Sequence, residues 1–369
     1  MPKARYVMVG GFLGAGKTTA ILKMAELLRS RGQRVGLITN DQSFGLVDTA
    51  MLGAHGFPVQ EITGGCFCCR FNSLVEASEK LTAEAAPDTF IAEPVGSCTD
   101  LKATVDYPLR RIYGQDYAIA PLSVLVDPVR AMRIFGLETG KSFSEKVVYI
   151  YSKQLEEAEV IVVNKADLLS AERLDALREA LAARFPQGRI QVISARTGQG
   201  LEDWVNDVTA AGAKTAGAMD VDYETYADGE ALLGWLNATL RVSASEPFDG
   251  NQLLLDLGRS LQSRLAGGAV EVAHLKMTLT PDEDGSDIAV ANLVRSDSAP
   301  ELSHRLQEPL ESGQLILNLR AEADPEMLRT ETLTTLESVS KSAGLCVEIE
   351  HLERFRPGKP TPTHRLVGV

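Results

Sequence analysis

Through the first two hundred positions, short unbroken apolar runs alternate with stretches whose apolar residues recur at helical spacing. The runs at 6–9, 35–39, 89–92, 122–126, 160–163 and 190–193 have the length and composition of strands buried on both faces. Between them, Lys17–Ser30 places Ile21, Met24, Leu27 and Leu28 at helical intervals and closes on Arg31-Gly32, a helix with its stop signal. A second helix, capped by Asn72 or Ser73, is predicted to run to about Ala86, and a third covers Ala171–Arg184. Strands separated by helices predict an α/β domain with a mostly parallel sheet and helices on both faces.

After this the order changes. The small-residue stretch 210–219 reads as a linker, which divides the chain into a first domain at 1–212, a linker at 213–224 and a second domain at 225–369. In the second domain, helical patterns near 229–243 and 250–266 precede strand-like runs at 270–280 and 287–294, joined by a turn at 281–286. A strand at 314–320, a helix at 325–342 and a strand at 345–351 complete a smaller α+β domain with a mostly antiparallel sheet.

Composition narrows the partners. The 369 residues are 44% hydrophobic, enough for two real cores, and carry 37 basic against 50 acidic side chains, a formal net charge of −13. An acidic chain without a long basic block is not expected to grip nucleic acid or an anionic membrane. The apolar run after Met1 is too short for a signal peptide and no stretch approaches a membrane span, so a soluble cytoplasmic protein is expected. Five cysteines are present, three of them within four residues; this is not a secreted disulfide framework.

The chemistry starts at Gly11-Phe12-Leu13-Gly14-Ala15-Gly16-Lys17-Thr18, between the first strand and the first helix. This is the phosphate-binding loop pattern in the setting it requires. Gly11, Gly14, Ala15 and Gly16 turn backbone N–H groups toward phosphate, Lys17 bridges the terminal phosphates, and Thr18, with Thr19 beside it, offers a hydroxyl for Mg²⁺. Asn164-Lys165-Ala166-Asp167 follows the strand at 160–163; an Asp there accepts from the ring N–H and exocyclic amine of guanine, whereas adenine presents the opposite arrangement. Ser194-Ala195, after the next strand, closes over the base. These motifs name GTP and GDP as the nucleotides.

For hydrolysis, Glu93 at a strand end is a Mg²⁺-side carboxylate and Gly96 offers its N–H to the γ-phosphate. The polar segment 40–48 is a candidate switch, within which Asp41 and Asp48 are alternative carboxylates for the metal or water. Between these segments lies Gly64-Gly65-Cys66-Phe67-Cys68-Cys69. Soft thiolates favour Zn²⁺, Cu(I) or similar ions. Cys66 and Cys69 also form a C-x-x-C pair able to make a redox disulfide, and buried thiols can serve as core.

The loop ending Gly-Lys-Thr-Thr, Gly-Cys-Phe-Cys-Cys, a Glu-x-x-Gly segment and Asn-Lys-x-Asp, in that order over roughly 5–205, resemble the CobW-type GTPases, relatives of the urease and hydrogenase nickel-insertion GTPases in the SIMIBI class. The run 194–201 resembles the same segment of those relatives. The resemblance implies a metallochaperone: a GTPase that couples nucleotide state to delivery of a metal ion or metal cofactor to a client metalloenzyme or corrinoid protein, and it allows a nucleotide- or metal-dependent homodimer. It implies Cys66, Cys68 and Cys69 as ligands of Zn²⁺ or Co²⁺, and Lys17, Thr18 and Glu93 as phosphate and Mg²⁺ residues. It also leaves an alternative, a GTP-dependent activator of a cofactor-bearing enzyme that carries no metal itself. The switch departs from the family pattern in having Asp41 where Glu is usual, and Cys98 is an added cysteine behind Glu93, read as a packed thiol rather than a ligand. The basic tail 351–365 reads as a solvated extended segment, with docking to an anionic ligand or partner as the alternative.

Overall fold

The computed structural model describes residues 3–41, 47–210, 212, 217–283 and 287–368. It divides into two compact units: 1–44, 57–229 and 359–369 form the first, and 45–56 with 230–358 form the second. The partition differs from the one expected at 213–224. The break falls at 229, the second unit takes in 45–56, and the last residues return to the first. Most of the predicted linker (211 and 213–216), residues 42–46 of the switch, and 284–286 of the hairpin turn lie outside the described residues.

In the first unit, β1 (Ala4–Gly11) leads into α1 (Lys17–Ser30) and β2 (Val35–Asn40). The helix α2 (Val47–Ala54) belongs to the second unit. The first unit continues with β3 (Val59–Ile62), α3 (Phe71–Ala85), β4 (Thr89–Glu93), α4 (Tyr107–Tyr113), β5 (Tyr117–Ile119), β6 (Ser123–Val126) and α5 (Pro128–Ile134). It closes with α6 (Glu145–Glu157), β7 (Val160–Val163), α7 (Ala171–Arg184), β8 (Arg189–Val192), α8 (Leu201–Ala210) and most of α9 (Tyr223–Leu232). The strands order as β3-β2-β4-β1-β6-β7-β8, all pairs parallel, with β5 also alongside β1. Tyr6 to Val9, Leu37, Ile38, Ile91, Ala92 and Val160 to Val163 are buried, because helices cover both faces of a parallel sheet. All the strands end at one edge, so every loop that follows a strand meets there. The sheet predicted from the alternating runs is thus present, with β3 and β5 added. The helix expected to start with an Asn72 or Ser73 cap begins instead at Phe71, with Arg70 in the cap position and no side-chain cap.

The second unit is a six-stranded antiparallel sheet, β12-β11-β10-β13-β9-β14, built from β9 (Leu233–Phe248), β10 (Glu271–Pro281), β11 (Ala289–Leu293), β12 (Glu301–His304), β13 (Leu310–Glu322) and β14 (Cys346–Phe355). The helices α10 (Gly250–Gly267) and α11 (Pro325–Ala343) have their cores with it: Leu254, Leu257, Leu261, Leu275, Met277, Leu317 and Leu328 form one buried cluster. Asp249 and Asp324 cap the two helices, accepting from Gln252 N and Glu326 N. The helix expected over 229–243 is mostly wrong. Residues 233–248 are β9, paired on both sides by β13 and β14. Its Leu236, Ala238, Leu240 and Val242 face the core while Trp235 and Asn237 are also buried; the spacing of Leu236 and Leu240 fits a helical turn and a strand face equally, and the tertiary pairing decides. Among the described residues no helix is long and apolar enough to cross a membrane.

Leu240 sits on the central strand with no exposure. Leu240→Ala is expected to destabilise the second unit by about 2–5 kcal/mol, the range for emptying a buried leucine site, read as a shift of that unit's transition in urea.

Candidate nucleotide and metal site

The loop between β1 and α1 has its shape set by residues at the ends of other strands. Gly16 takes φ 87° at the head of α1, and a Cβ there would come within 2.6 Å of Asn164 Nδ2. Only glycine satisfies both the backbone and the close approach. Asn164, just past β7, donates from Nδ2 to the Ala15 carbonyl at 2.9 Å and accepts at Oδ1 from Ala195 N at 3.0 Å. Lys165 Nζ donates to the Gly14 carbonyl at 2.7 Å and pairs with Asp127 Oδ2 at 2.8 Å. Ser194 Oγ donates to Asp167 Oδ1 at 2.6 Å. Gly14, Ala15, Gly16, Asn164, Lys165, Asp167, Ser194 and Ala195 therefore form one bonded framework at the sheet edge. Gly11 ends β1 and Thr19 lies in the first turn of α1.

Behind the loop, Thr18 Oγ1 donates to Glu93 Oε1 at 3.2 Å, and Lys17 Nζ lies 3.9 Å from the same oxygen. A hydroxyl and a buried carboxylate meeting at a helix head make a hard oxygen donor set that suits Mg²⁺, and the residues fit that ion. Gly96 approaches the loop from the other side: a Cβ on it would meet Leu13 Cδ2 at 2.7 Å and Leu13 N at 3.1 Å. Asp41 follows β2 and its N–H donates to the Ile62 carbonyl at 3.1 Å. Asp48 lies on α2, in the second unit. The two switch residues expected as alternatives thus belong to different units.

The cysteine segment adjoins the same edge. Asn40 Nδ2, at the end of β2, donates to the carbonyls of Ile62 and Gly65 at 3.0 and 2.8 Å, which holds the turn before Cys66. Cys69 N and Arg70 N both return to the Cys66 carbonyl at 3.0 and 2.9 Å. This tight turn brings adjacent cysteines to one side: Sγ of Cys66 lies 2.8 Å from that of Cys68 and 3.2 Å from that of Cys69, with 3.7 Å between the last two. Cys66 and Cys68 are buried and Cys69 is half-buried. Neighbouring thiols push Cys66 well below the usual thiol range and raise Cys68 well above it, while Cys69 is pushed up to about 11, first by its hydrogen bond with Cys66. One sulfur ionises readily with the others as donors, and further charges are resisted until a cation neutralises them. Three convergent soft donors fit a thiophilic ion.

Three contributions were not read from sequence: Asn40 as the anchor of the thiol turn, Asp127 as the partner of Lys165, and the tail's bonds to that turn. Asp127-Pro128 after a strand is a helix-start signal, and Asp127 does cap α5 through Arg130 N while also holding Lys165. The tail had been expected to be a solvated extended segment; 351–355 instead belong to β14, and the residues beyond, though largely exposed, are hydrogen-bonded in place. Thr361 N donates to Cys69 Sγ at 3.2 Å, Thr363 N to the Cys68 carbonyl at 2.8 Å and Thr363 Oγ1 to the Cys69 carbonyl at 3.1 Å. Arg365 pairs with Asp100 at 2.7 Å, and His364 sets its ring edge-on to Phe71 at 5.0 Å. The segment from Lys359 onward thus lies along the thiol turn.

A family model described as CobW/HypB/UreG, nucleotide-binding domain, matches residues 5–191. The chain belongs to the CobW/HypB/UreG family. Within curated relatives, it is 28% identical over 213 residues to zinc chaperone CobW of Sinorhizobium sp, covering 52% of this chain and 59% of the relative. It is 27% identical over 172 residues to zinc chaperone YeiR of Escherichia coli (strain K12), covering 46% and 49%. The chain thus spans about half to three-fifths of these relatives' length. Among solved structures, the Zn(II)-bound YjiA GTPase from E. coli aligns over 91% of this chain and 99% of its own, at 16% identity and a TM-score of 0.38.

The loop carrying Gly96 and Cys98 is fixed by α6. Gln154 Nε2 donates to the carbonyls of Gly96 and Cys98 at 2.9 and 2.8 Å, and Glu157 accepts from Lys102 N at 3.0 Å and Thr99 Oγ1 at 3.4 Å. Burial pushes the Glu157 carboxyl up to about 8. The folded state then holds a proton that the unfolded chain loses near 4.5. Stability is therefore full below that value and falls as pH rises toward about 8. Melting midpoints of the native chain should fall across this window, and Glu157→Gln, which stays neutral, should flatten the slope.

Deleting residues 360–369 removes every tail bond to the thiol turn. In a Cys346→Ser background, where the exposed thiol of the second unit is gone, reaction of the motif thiols with a chromogenic disulfide should accelerate several-fold; an unchanged rate would mean that the tail does not shield them.

Proposed function

We propose that this chain is a GTPase whose nucleotide state controls a metal ion held by Cys66, Cys68 and Cys69, and which passes that ion or a metal cofactor to a client enzyme. The observation that carries the reading is the convergence of three thiols on a turn held by Asn40, at the sheet edge where the phosphate-loop residues also lie. The relatives named zinc chaperones, and those in Dictyostelium discoideum and Schizosaccharomyces pombe named zinc-regulated GTPase metalloprotein activators, support Zn²⁺ as the ion; Co²⁺ has the same donor preference for this site.

In this reading the backbone of Gly11, Gly14, Ala15, Gly16 and Thr19 and the Lys17 ammonium hold the phosphates. Asp167, oriented by Ser194, accepts from guanine, and Ala195 N, held by Asn164, closes over the base. Thr18 and Glu93 would hold Mg²⁺, which supplies charge neutralisation at the β- and γ-phosphates. Gly96 donates its N–H to the γ-phosphate, and Asp41, beside Asn40, orients water. Loss of the γ-phosphate frees the 93–98 and 40–41 segments, and with them the support of the thiol turn. Metal affinity must then differ between nucleotide states, and the coupling must be reciprocal.

Zn²⁺ titrated into the full chain is expected to bind at least tenfold tighter with Mg²⁺ and a non-hydrolysable GTP analogue than with GDP, and ATP should not substitute. Equal affinities in the two states would overturn the coupling. Client activation that survives replacement of all three cysteines by serine would favour the alternative, an activator that carries no metal.

A further inference from the structure

The first unit holds a fourth cysteine that the three-residue motif does not include. Cys98 lies five residues past Glu93 and two past Gly96, with a side chain only 1% exposed. A thiol that merely fills core would be surrounded by apolar side chains. This one is hydrogen-bonded to the thiols of both Cys66 and Cys68. Its position is not left to its own rotamer alone. Cys98 N donates to the Val95 carbonyl at 2.9 Å, and Gln154 Nε2 holds the Cys98 and Gly96 carbonyls together.

Three thiols leave a tetrahedral ion one ligand short. A closed Zn²⁺ site takes four donors with Zn–S about 2.3 Å, which places sulfurs about 3.8 Å apart. The three sulfurs of the motif already stand within 4.8 Å of one another, a group that does not include Cys98, so a cation entering among them needs only small outward shifts. Cys98, hydrogen-bonded to two of the three, joins them by an inward shift of its loop. We propose that Cys98 is the fourth thiolate ligand of the Cys66, Cys68 and Cys69 site.

This rests on the metal-handling reading above and gives it a physical link. Glu93, Gly96 and Cys98 sit on one short loop, so a loop that senses Mg²⁺ and the γ-phosphate at one end carries a metal ligand at the other. A shift of the loop on hydrolysis withdraws one of four ligands and leaves an open, three-thiolate site. Binding displaces protons: each thiol that ligates gives its proton to solvent, and no electron is transferred. Arg70, whose Nε donates to the Gly64 carbonyl at 3.2 Å, sets a positive charge beside the thiol turn, which offsets the anionic character of a four-thiolate site.

The test uses the full chain loaded with one equivalent of Zn²⁺ in the presence of Mg²⁺ and a GTP analogue, read by X-ray absorption at the zinc edge. Four sulfur neighbours at about 2.3 Å are expected. Cys98→Ser should lower the count to three, add a nitrogen or oxygen neighbour and weaken Zn²⁺ binding at least tenfold. Three sulfurs in the native chain, or a Cys98→Ser protein with unchanged count and affinity, would overturn the assignment while the three-cysteine site stands. No sulfur around the zinc would remove both the assignment and the metal reading beneath it. The native sulfur count needs no variant, so a misfolded Cys98→Ser protein does not leave the matter open.

Discussion

The amide of Asn164 ties the nucleotide site together. Its two ends satisfy the Ala15 carbonyl in the phosphate loop and the Ala195 N–H in the loop after β8, so segments about 150 and 30 residues away share one side chain. It is almost wholly buried. Losing it would leave both backbone groups without their partner at a cost of about 1–3 kcal/mol each. It also dictates glycine at position 16, because its Nδ2 occupies the space a Cβ would need. Lys165 and Ser194 repeat the pattern on either side, each joining one loop to another. The base-side loop and the phosphate loop are therefore a single hydrogen-bonded frame rather than two motifs that happen to be near.

Parallel strands make this possible. When every strand runs the same way, each following loop emerges at one edge, and side chains from four or five sequence-distant positions can meet without long reaches. The same geometry brings in the cysteine turn, since β3 lies beside β2 and Asn40 at the end of β2 holds the carbonyls of Ile62 and Gly65. It also brings in the 93–98 loop, which follows β4, the strand between β1 and β2. Chemistry of two kinds, hard oxygen donors at Thr18 and Glu93 and soft sulfur donors at 66–69, thus grows from neighbouring strand ends. The separation in donor type would keep Mg²⁺ and a thiophilic ion from competing: Mg²⁺ has little affinity for thiolates, and Zn²⁺ gains most from them.

Much of this was legible in the residues. The phosphate loop, Glu93, Asn164, Asp167 and the three motif cysteines are close-spaced signatures whose spacing already implies backbone geometry; the structure sets Thr18 and Lys17 beside Glu93, Asn164 against Ala15, and the three sulfurs on one turn. The failures have specific causes. Residues 233–243 read as helix because a strand buried on both faces, as β9 is through its first half, loses the alternation of a half-exposed one. The division near 213–224 was drawn from composition, whereas the units part at 229 because α9 packs Tyr226 and Tyr223 onto the first unit through Thr99 and Asp100. Cys98 is packed, as read from sequence; that its neighbours include Cys66 and Cys68, about thirty residues earlier in the chain, was not legible there.

The amino-acid sequence by itself determined the fold class, the nucleotide loop and the presence of clustered thiols, since each depends on local period or on residues a few positions apart. Only the tertiary structure decided what those thiols touch. Cys98 against Cys66 and Cys68, the 359–367 segment along the thiol turn, and Asn40 beneath it are contacts between stretches with no sequence relationship, chosen by which strand ends the sheet sets side by side. Local periodicity carries no information about such neighbours, because strand order is settled by packing over the whole sheet.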